Sequence, residues 1–293
     1  MVISEESTPL VSVVLPTRNR LSFLKSAIES AKNQTHSRIE IIIIDDASTD
    51  DTAAFLKGLN DQQVTIIRNE SPKGGGAARN QGIERAVGAF VAFLDDDDTW
   101  MPEKLEKQLG AYFKNDGCSM VTCSYYDHRP GKSKRLIKLN TIKNKIDLFK
   151  GNFLGGASMF LTTKSNLNYC GGFDEALRSG QDWDLLIRLA EIGEIAIVDE
   201  PLVNYYSHEA ERISNQIASS YGGLRNVYFK YLKFLPVGIK RQLLSELLFY
   251  RWKMTEKRSR LTFNRLIAAG SNIPYPGNCI FYLRFLRYVF LKK

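Results

Sequence analysis

The chain lacks the usual signs of several protein classes. Its four cysteines, Cys118, Cys123, Cys170 and Cys279, form no CxxC pair, so the sequence predicts neither a disulfide framework nor a zinc site and fits free thiols in a reducing compartment. No uninterrupted apolar run approaches the roughly 20 residues of a spanning helix. Residues Met1 to Pro9 are polar and acidic, with no apolar segment behind a basic start, so no secretory signal is expected. No GxxxxGK[ST] loop is present and no GxGxxG follows the first apolar run, which excludes a P-loop and a dinucleotide fingerprint. Internal repeats and low-complexity tracts are also missing.

Acidic residues are scarce at one end only. Residues 220–293 hold 15 Lys and Arg against Glu246 and Glu256, a net of +13, whereas residues 1–219 carry −5. A uniformly basic chain would suggest nucleic acid, but this one has a mildly acidic body and a basic, aromatic tail. No recognised nucleic-acid module accompanies Lys257-Arg258-Ser259-Arg260, so no nucleic-acid partner is expected. At 293 residues and 44% hydrophobic content the chain can build one main domain plus that tail.

The first 125 residues alternate apolar runs with amphipathic stretches. Strands are predicted over Val11–Leu15, Ile39–Ile44, Val64–Ile67 and Ala89–Leu94. Helices are predicted from Leu21, from about Thr52 and over Ala77–Ala86. This is βαβ alternation, and strands apolar on both faces suit a mostly parallel sheet covered by helices. Ligands of such sheets bind beyond the carboxyl ends of the strands, where Pro16–Asn19, Asp45-Asp46 and Asp95-Asp96-Asp97-Asp98 fall. Further on, a helix over Asp182–Glu191 and a strand over Glu194–Val198 are expected.

Four successive aspartates repel one another at pH 7 unless a cation or hydrogen-bond donors compensate them. Hard oxygen ligands favour Mg²⁺ or Mn²⁺. The same residues also suit a solvated turn in which Asp98 or Thr99 caps the helix beginning near Pro102. The Gly74-Gly75-Gly76 run reads equally as a flexible turn or as a place where the backbone approaches an anion at a helix N-terminus.

Ser12–Asn19, Asp45-Asp46-Ala47-Ser48-Thr49-Asp50, Ala78-Arg79-Asn80 and Phe93–Asp98 together resemble the ordered signatures of family 2 glycosyltransferases with the GT-A fold, over about Leu10 to Ser214. The resemblance implies an α/β, GT-A-like, Rossmann-like domain over 1–219, with a nucleotide-binding half (about 10–117) and an acceptor half (about 118–219), followed by a helical basic tail over 220–293. It implies an inverting, non-processive transfer from a nucleotide-sugar, a uridine one, to an acceptor hydroxyl. Pro16, Thr17, Arg18, Asp45, Asp46 and Arg79 would hold the nucleotide. Asp95 and Asp96 would contact the ribose, and Asp97, with Asp95 and His208, would bind Mn²⁺ or Mg²⁺. Processive members carry Gln-x-x-Arg-Trp, which is missing here.

An inverting transfer needs one carboxylate to take the acceptor proton. Gly180-Gln181-Asp182-Trp183-Asp184 resembles the family segment that ends in that base, which points to Asp182, although Gln181 stands where the family carries Glu. Asp184 lies four residues before Arg188 and suits a structural ion pair. Trp183 and Gln181 are acceptor-side candidates, and Trp183 is equally a core residue.

The last helix expected, Phe281–Lys293, puts aromatic and aliphatic residues on one arc with Arg284 and Arg287 opposite. That form suits an anionic membrane surface or a second subunit. A lipid-linked glycan acceptor at the inner face of the plasma membrane, in surface polysaccharide or lipopolysaccharide synthesis, follows from the lipid reading. The rivals are a nucleotidyltransferase, which would carry a glycine-rich phosphate loop after the first strand, and a non-catalytic module binding a nucleotide-sugar or membrane.

Overall fold

The computed structural model describes residues 8–139, 142, 144–206 and 217–254. The chain divides into two compact units, Met1–Arg212 and Ile213–Lys293.

In the first unit nine strands among the described residues form one sheet in the order β3-β2-β1-β4-β8-β6-β9-β5, with β7 paired to β6. The strands are β1 (Val11–Thr17), β2 (Ile39–Asp45), β3 (Val64–Arg68), β4 (Phe90–Phe93), β5 (Thr99–Trp100), β6 (Cys118–His128), β7 (Arg135–Ile137), β8 (Leu161–Thr163) and β9 (Glu194–Tyr206). The parallel arrangement read from the apolar runs holds for β3-β2-β1-β4. Beyond it the sheet is mixed, because β8 runs antiparallel to both β4 and β6 while β6 and β9 are parallel. β1 and β2 are nearly all buried, as their apolar runs require of a sheet covered on both faces.

Helices α1 (Leu21–Lys32), α2 (Thr52–Gly58), α3 (Gly75–Arg85), α4 (Lys104–Lys114), α5 (Lys164–Cys170) and α6 (Gln181–Ile192) connect the strands. The predicted helix at Thr52 and the strand at Glu194 are both present, and the strand runs on to Tyr206. α3 lies unusually close to the sheet: a Cβ on Gly82 would fall 2.3 Å from Val14 Cγ1 and 3.0 Å from Ile44 Cδ1. Gly82→Ala is therefore expected to cost about 2–3 kcal/mol, the upper part of the overpacking range, a loss that outweighs the ~1 kcal/mol an alanine gains in helix propensity. Urea unfolding should show a lower midpoint at constant slope, and an unchanged midpoint would contradict the close approach.

α4 opens with a buried lysine. Lys104 Nζ donates to Gln108 Oε1 at 2.7 Å and sits 4.0 Å from the centre of the Trp100 ring. Burial pushes its pKa down to about 8. An unfolded lysine titrates near 10.4, so between about pH 8 and 10.4 the unfolded chain binds more protons and this group makes stability rise with pH. Wild type should gain on the order of 1–3 kcal/mol relative to Lys104→Met between pH 7 and 10. Parallel unfolding curves at the two pH values would show a constant difference if the ammonium were not desolvated.

The second unit contributes α7 (Ile217–Tyr231) and α8 (Val237–Met254), which pack on each other. Leu224, Val227, Tyr228 and Tyr231 are buried at helical spacing on α7, as are Leu243 and Leu247 on α8. No helix among the described residues is long and apolar enough to cross a membrane. The amphipathic segment Phe281–Lys293 lies outside the described residues, as does Cys279. Cys118, Cys123 and Cys170 are free thiols.

Candidate functional site

The ends of β1 and β2 are tied together by side chains. Asn19, at φ 54, receives Thr49 N on its Oδ1 at 2.7 Å while its own N donates to Ser48 Oγ at 3.0 Å. Ala47 takes φ 61, a left-handed conformation that costs an alanine about 1–2 kcal/mol, and the ties around it hold that turn. Asp45 is 1% exposed, accepts from Ser48 N at 2.8 Å and pairs with Arg68. The structure thus places Asp45 inside the turn, with its carboxylate committed to protein partners. Asp46 accepts from Asn69 Nδ2 at 2.9 Å and from the backbone N of Lys73 and Gly74 at 2.8 Å each. Burial works against its charge, but those donors outweigh it and hold its pKa below the usual carboxylate value. Asp46 therefore fixes the loop that leads into the glycine run.

The four aspartates follow β4 and separate into distinct roles. Asp98 accepts from Ser158 Oγ at 2.6 Å and from Tyr206 N at 3.2 Å, joining the end of β9 to the loop. The expected capping of α4 by Asp98 or Thr99 is not what forms: the N-cap is Glu103, without a side-chain cap, because Asp98 is engaged by Ser158 and β9. Asp96 accepts from Thr17 Oγ1 at 2.8 Å and from Arg20 Nη1 at 3.3 Å. Arg20 Nη1 also lies 2.8 Å from Asp97 Oδ2. Burial raises the Asp96 pKa to about 6 against the attraction of Arg20, with Asp97 adding repulsion. Asp95 faces outward more than its neighbours and pairs with Arg79.

Arg79 connects this loop to the other half of the site. It rises from α3, which begins immediately after Gly74 at φ 93, and its guanidinium lies 5.4 Å from the centre of the Phe173 ring. Burial opposes its charge, while Asp95, Asp182 and Asp96 favour it, so its pKa is raised overall. Its Nε is buried without a hydrogen-bond partner. Asn80 beside it accepts from Phe173 N at 2.7 Å and donates to Phe173 O at 2.9 Å and Glu175 Oε1 at 2.8 Å. A Cβ on Gly172 would strike Asn80 Oδ1 at 2.5 Å, so this turn closes tightly on α3.

The start of α6 reaches the same place. Asp182 Oδ1 accepts from Trp183 N at 2.9 Å and its Oδ2 from Asn152 Nδ2 at 3.2 Å. Burial raises its pKa, Arg79 counteracts that, and Asp95 adds to it. A Cβ on Gly76 would lie 2.6 Å from Gln181 Nε2, so the glycine run gives room to the start of α6. Trp183 is 6% exposed and its Nε1 donates to Leu148 O at 2.7 Å. Of its two readings the structure supports core packing, and a ring so enclosed offers no face to a sugar. Asp184 is fully buried and pairs with Arg188 at 2.7 Å, the ion pair expected from the four-residue spacing.

Asp95, Asp96, Asp97, Thr17, Arg79 and Asp182 therefore converge at one site. His208 lies outside the described residues, two positions past the last described residue of β9. The sequence motifs do not include Arg20 or Ser158. Arg20 had a signal, since four adjacent aspartates demand a positive partner and it stands directly after Pro16–Asn19. Ser158 had none, because only the fold brings it to β4.

A sheet parallel in its first half and mixed beyond, covered by helices and with an acidic loop after β4, is the GT-A architecture. The profile of Glycosyl transferase family 2 matches residues 12–173, and the chain belongs to that family. It is 28% identical over 276 residues, 88% of this chain and 94% of the relative, to the putative colanic acid biosynthesis glycosyl transferase WcaA of Escherichia coli strain K12. An uncharacterized glycosyltransferase of Haemophilus influenzae is 32% identical over 186 residues, a match that covers 62% of this chain and spans 62% of that relative's length. The UDP-Glc:alpha-D-GlcNAc-diphosphoundecaprenol beta-1,3-glucosyltransferase WfgD of Escherichia coli is 36% identical over 107 residues, 36% of this chain and 42% of WfgD. Among solved structures, Staphylococcus aureus TarS 1–349 with UDP-GlcNAc superposes with a TM-score of 0.65 at 19% identity, covering 89% of this chain and 80% of TarS. The mannosyltransferase PcManGT of Pyrobaculum calidifontis, with GDP-Man and Mn²⁺, superposes with a TM-score of 0.62 at 16% identity, covering 97% and 81%.

Proposed function

We propose that the first unit transfers a sugar, with inversion, from a uridine diphosphate donor to a hydroxyl of a lipid-linked glycan, in the assembly of a surface polysaccharide. The observation that carries this reading is the position of Arg79, which pairs with Asp95 of the acidic loop and lies beside the start of α6 next to Asp182, since a Cβ on Gly75 would fall 3.0 Å from Arg79 Nη1 and 3.9 Å from Gln181 Oε1. On this reading Asp95 of the donor site and the base Asp182 face one crevice. WfgD, by its name a UDP-glucose enzyme acting on a diphosphoundecaprenol-linked sugar, and TarS, which holds UDP-GlcNAc, support the donor and acceptor classes.

Among the described residues no three carboxylate, histidine or cysteine groups form a complete cation cage. Asp97 and Asp95 nonetheless suit Mg²⁺ or Mn²⁺, which take one or two carboxylates and complete their shell with substrate phosphate oxygens. When bound there, the cation would offset negative charge on the departing nucleotide diphosphate. Pro16, Thr17 and Arg18 line the nucleotide end, and Asp46 either accepts from the base directly or holds the 73–74 loop against it. Arg79, with one buried N–H unpartnered, is placed to donate to the diphosphate. Asp182 takes the acceptor proton as the hydroxyl oxygen attacks the anomeric carbon. The basic residues 220–293 bring the enzyme to anionic lipid at the cytoplasmic face.

The test is nucleotide release from UDP-Glc, UDP-GlcNAc and GDP-Man with an undecaprenyl-diphosphate-linked sugar as acceptor, in Mn²⁺ and in EDTA. One UDP-sugar should turn over in Mn²⁺, with acceptor, and yield the inverted anomer. Release only from GDP-Man would overturn the uridine assignment, and turnover unaffected by EDTA would remove the cation.

A further inference from the structure

Arg20 occupies an oxygen that a cation on Asp97 would need. Its Nη1 is 2.8 Å from Asp97 Oδ2 and 3.3 Å from Asp96 Oδ1, while the other Asp96 oxygen is taken by Thr17 Oγ1 at 2.8 Å. The Asp97 side chain is only 3% exposed and that of Arg20 is 22% exposed, so the guanidinium lies on the solvent side of the pair. Mg²⁺ sits about 2.0–2.1 Å from a ligand oxygen. A divalent ion and the guanidinium sharing Asp97 Oδ2 at those distances would repel each other, so a cation bound there favours displacement of Arg20.

The guanidinium has a second destination. Its planar fork of N–H donors matches phosphate oxygens bidentately, and Arg20 heads α1 directly after Pro16–Asn19. We propose that Arg20 is the resting counter-ion of Asp97 and passes to the donor's diphosphate when cation and nucleotide arrive together. This rests on reading the first unit as a nucleotide-diphosphate-sugar site. Before donor arrives, Arg20 neutralises the buried carboxylates and disfavours a lone cation. Once the diphosphate is present, Arg20 leaves Asp97 for the phosphate oxygens, and the cation takes its place on Asp97 Oδ2. Metal and nucleotide are thereby coupled, each raising the affinity for the other by the same factor.

The experiment measures binding to the full chain of Mn²⁺ alone, of UDP in EDTA, and of both together, by calorimetry and by the electron paramagnetic resonance of Mn²⁺. Wild type should bind Mn²⁺ weakly alone and about 5- to 150-fold more tightly with UDP, the usual range of coupling between sites. Arg20→Gln should bind Mn²⁺ alone more tightly than wild type, bind UDP in EDTA more weakly, and show a smaller coupling factor. Arg20→Lys, which keeps the charge without the fork, should hold free-enzyme Mn²⁺ affinity low while weakening UDP. If Arg20→Gln folds with an unchanged thermal midpoint yet its Mn²⁺ affinity is equal to or below that of wild type, Arg20 does not compete for the cation. Wild type that binds neither ligand in any combination contradicts the donor-site reading itself, a result distinct from failure of the Arg20 variants.

Discussion

Asp182→Asn should leave donor affinity within a few-fold of wild type and lower kcat by about 10²–10⁴-fold, the usual contribution of a general base. The amide keeps the shape of the side chain and can still accept from Trp183 N, which now lies 2.9 Å from Oδ1, but it cannot take a proton. Burial raises the Asp182 pKa above its ordinary value, which makes the carboxylate a better proton acceptor than an exposed one. Only the ionised form works as a base, so wild-type kcat should fall as pH drops through that raised pKa, and the acid limb should vanish from the residual rate of the variant. Steady-state kinetics with a fixed saturating donor would measure this. A variant with nearly full kcat would move the base elsewhere, and one that lost donor affinity would make Asp182 a binding residue.

Arg188→Met should be the most destabilising of the variants considered, at about 3–5 kcal/mol, because it takes the ion-pair partner from a carboxylate with no solvent access. For a chain of this size that is a fall of on the order of 10 °C in thermal midpoint. Arg188 also donates from Nη1 to the carbonyls of Cys170 and Gly172 at 2.7 Å each, so its loss loosens the turn that Asn80 clasps. Replacing both partners, Asp184→Leu with Arg188→Met, should recover part of the stability, since no buried charge is then stranded. A single variant within 1 kcal/mol of wild type would mean that water reaches Asp184.

The sheet from β3 to β4 could be read from the sequence because each strand is a short apolar run, buried on both faces in β1, β2 and β4 and half-buried in β3, and helical periods separate the runs. The acidic loop was equally visible, since Asp95–Asp98 end such a run abruptly. The later strands carried less signal: β8 is three residues long, and its antiparallel pairing depends on contacts far apart in the chain. Within the site, the sequence shows that a residue is acidic but not which way it turns. Asp45 and Asp46 are adjacent, yet one folds back to Arg68 and Ser48 while the other receives the 73–74 loop. Asp97 and Asp98 differ in the same way, one meeting Arg20 and the other Ser158. Trp183 had two readings because an aromatic at a helix start serves either role, and only the position of Leu148 O decides between them.

Calorimetric titration of UDP, GDP, dTDP and CMP into the full chain, with Mn²⁺ and with EDTA, on wild type and on Asp97→Ala, bears on the central claim most directly. The account predicts tight binding of UDP in Mn²⁺, much weaker binding in EDTA, and loss of the metal-dependent part in Asp97→Ala. Absence of binding by every nucleotide, or UDP binding that ignores both EDTA and the loss of Asp97, would contradict it.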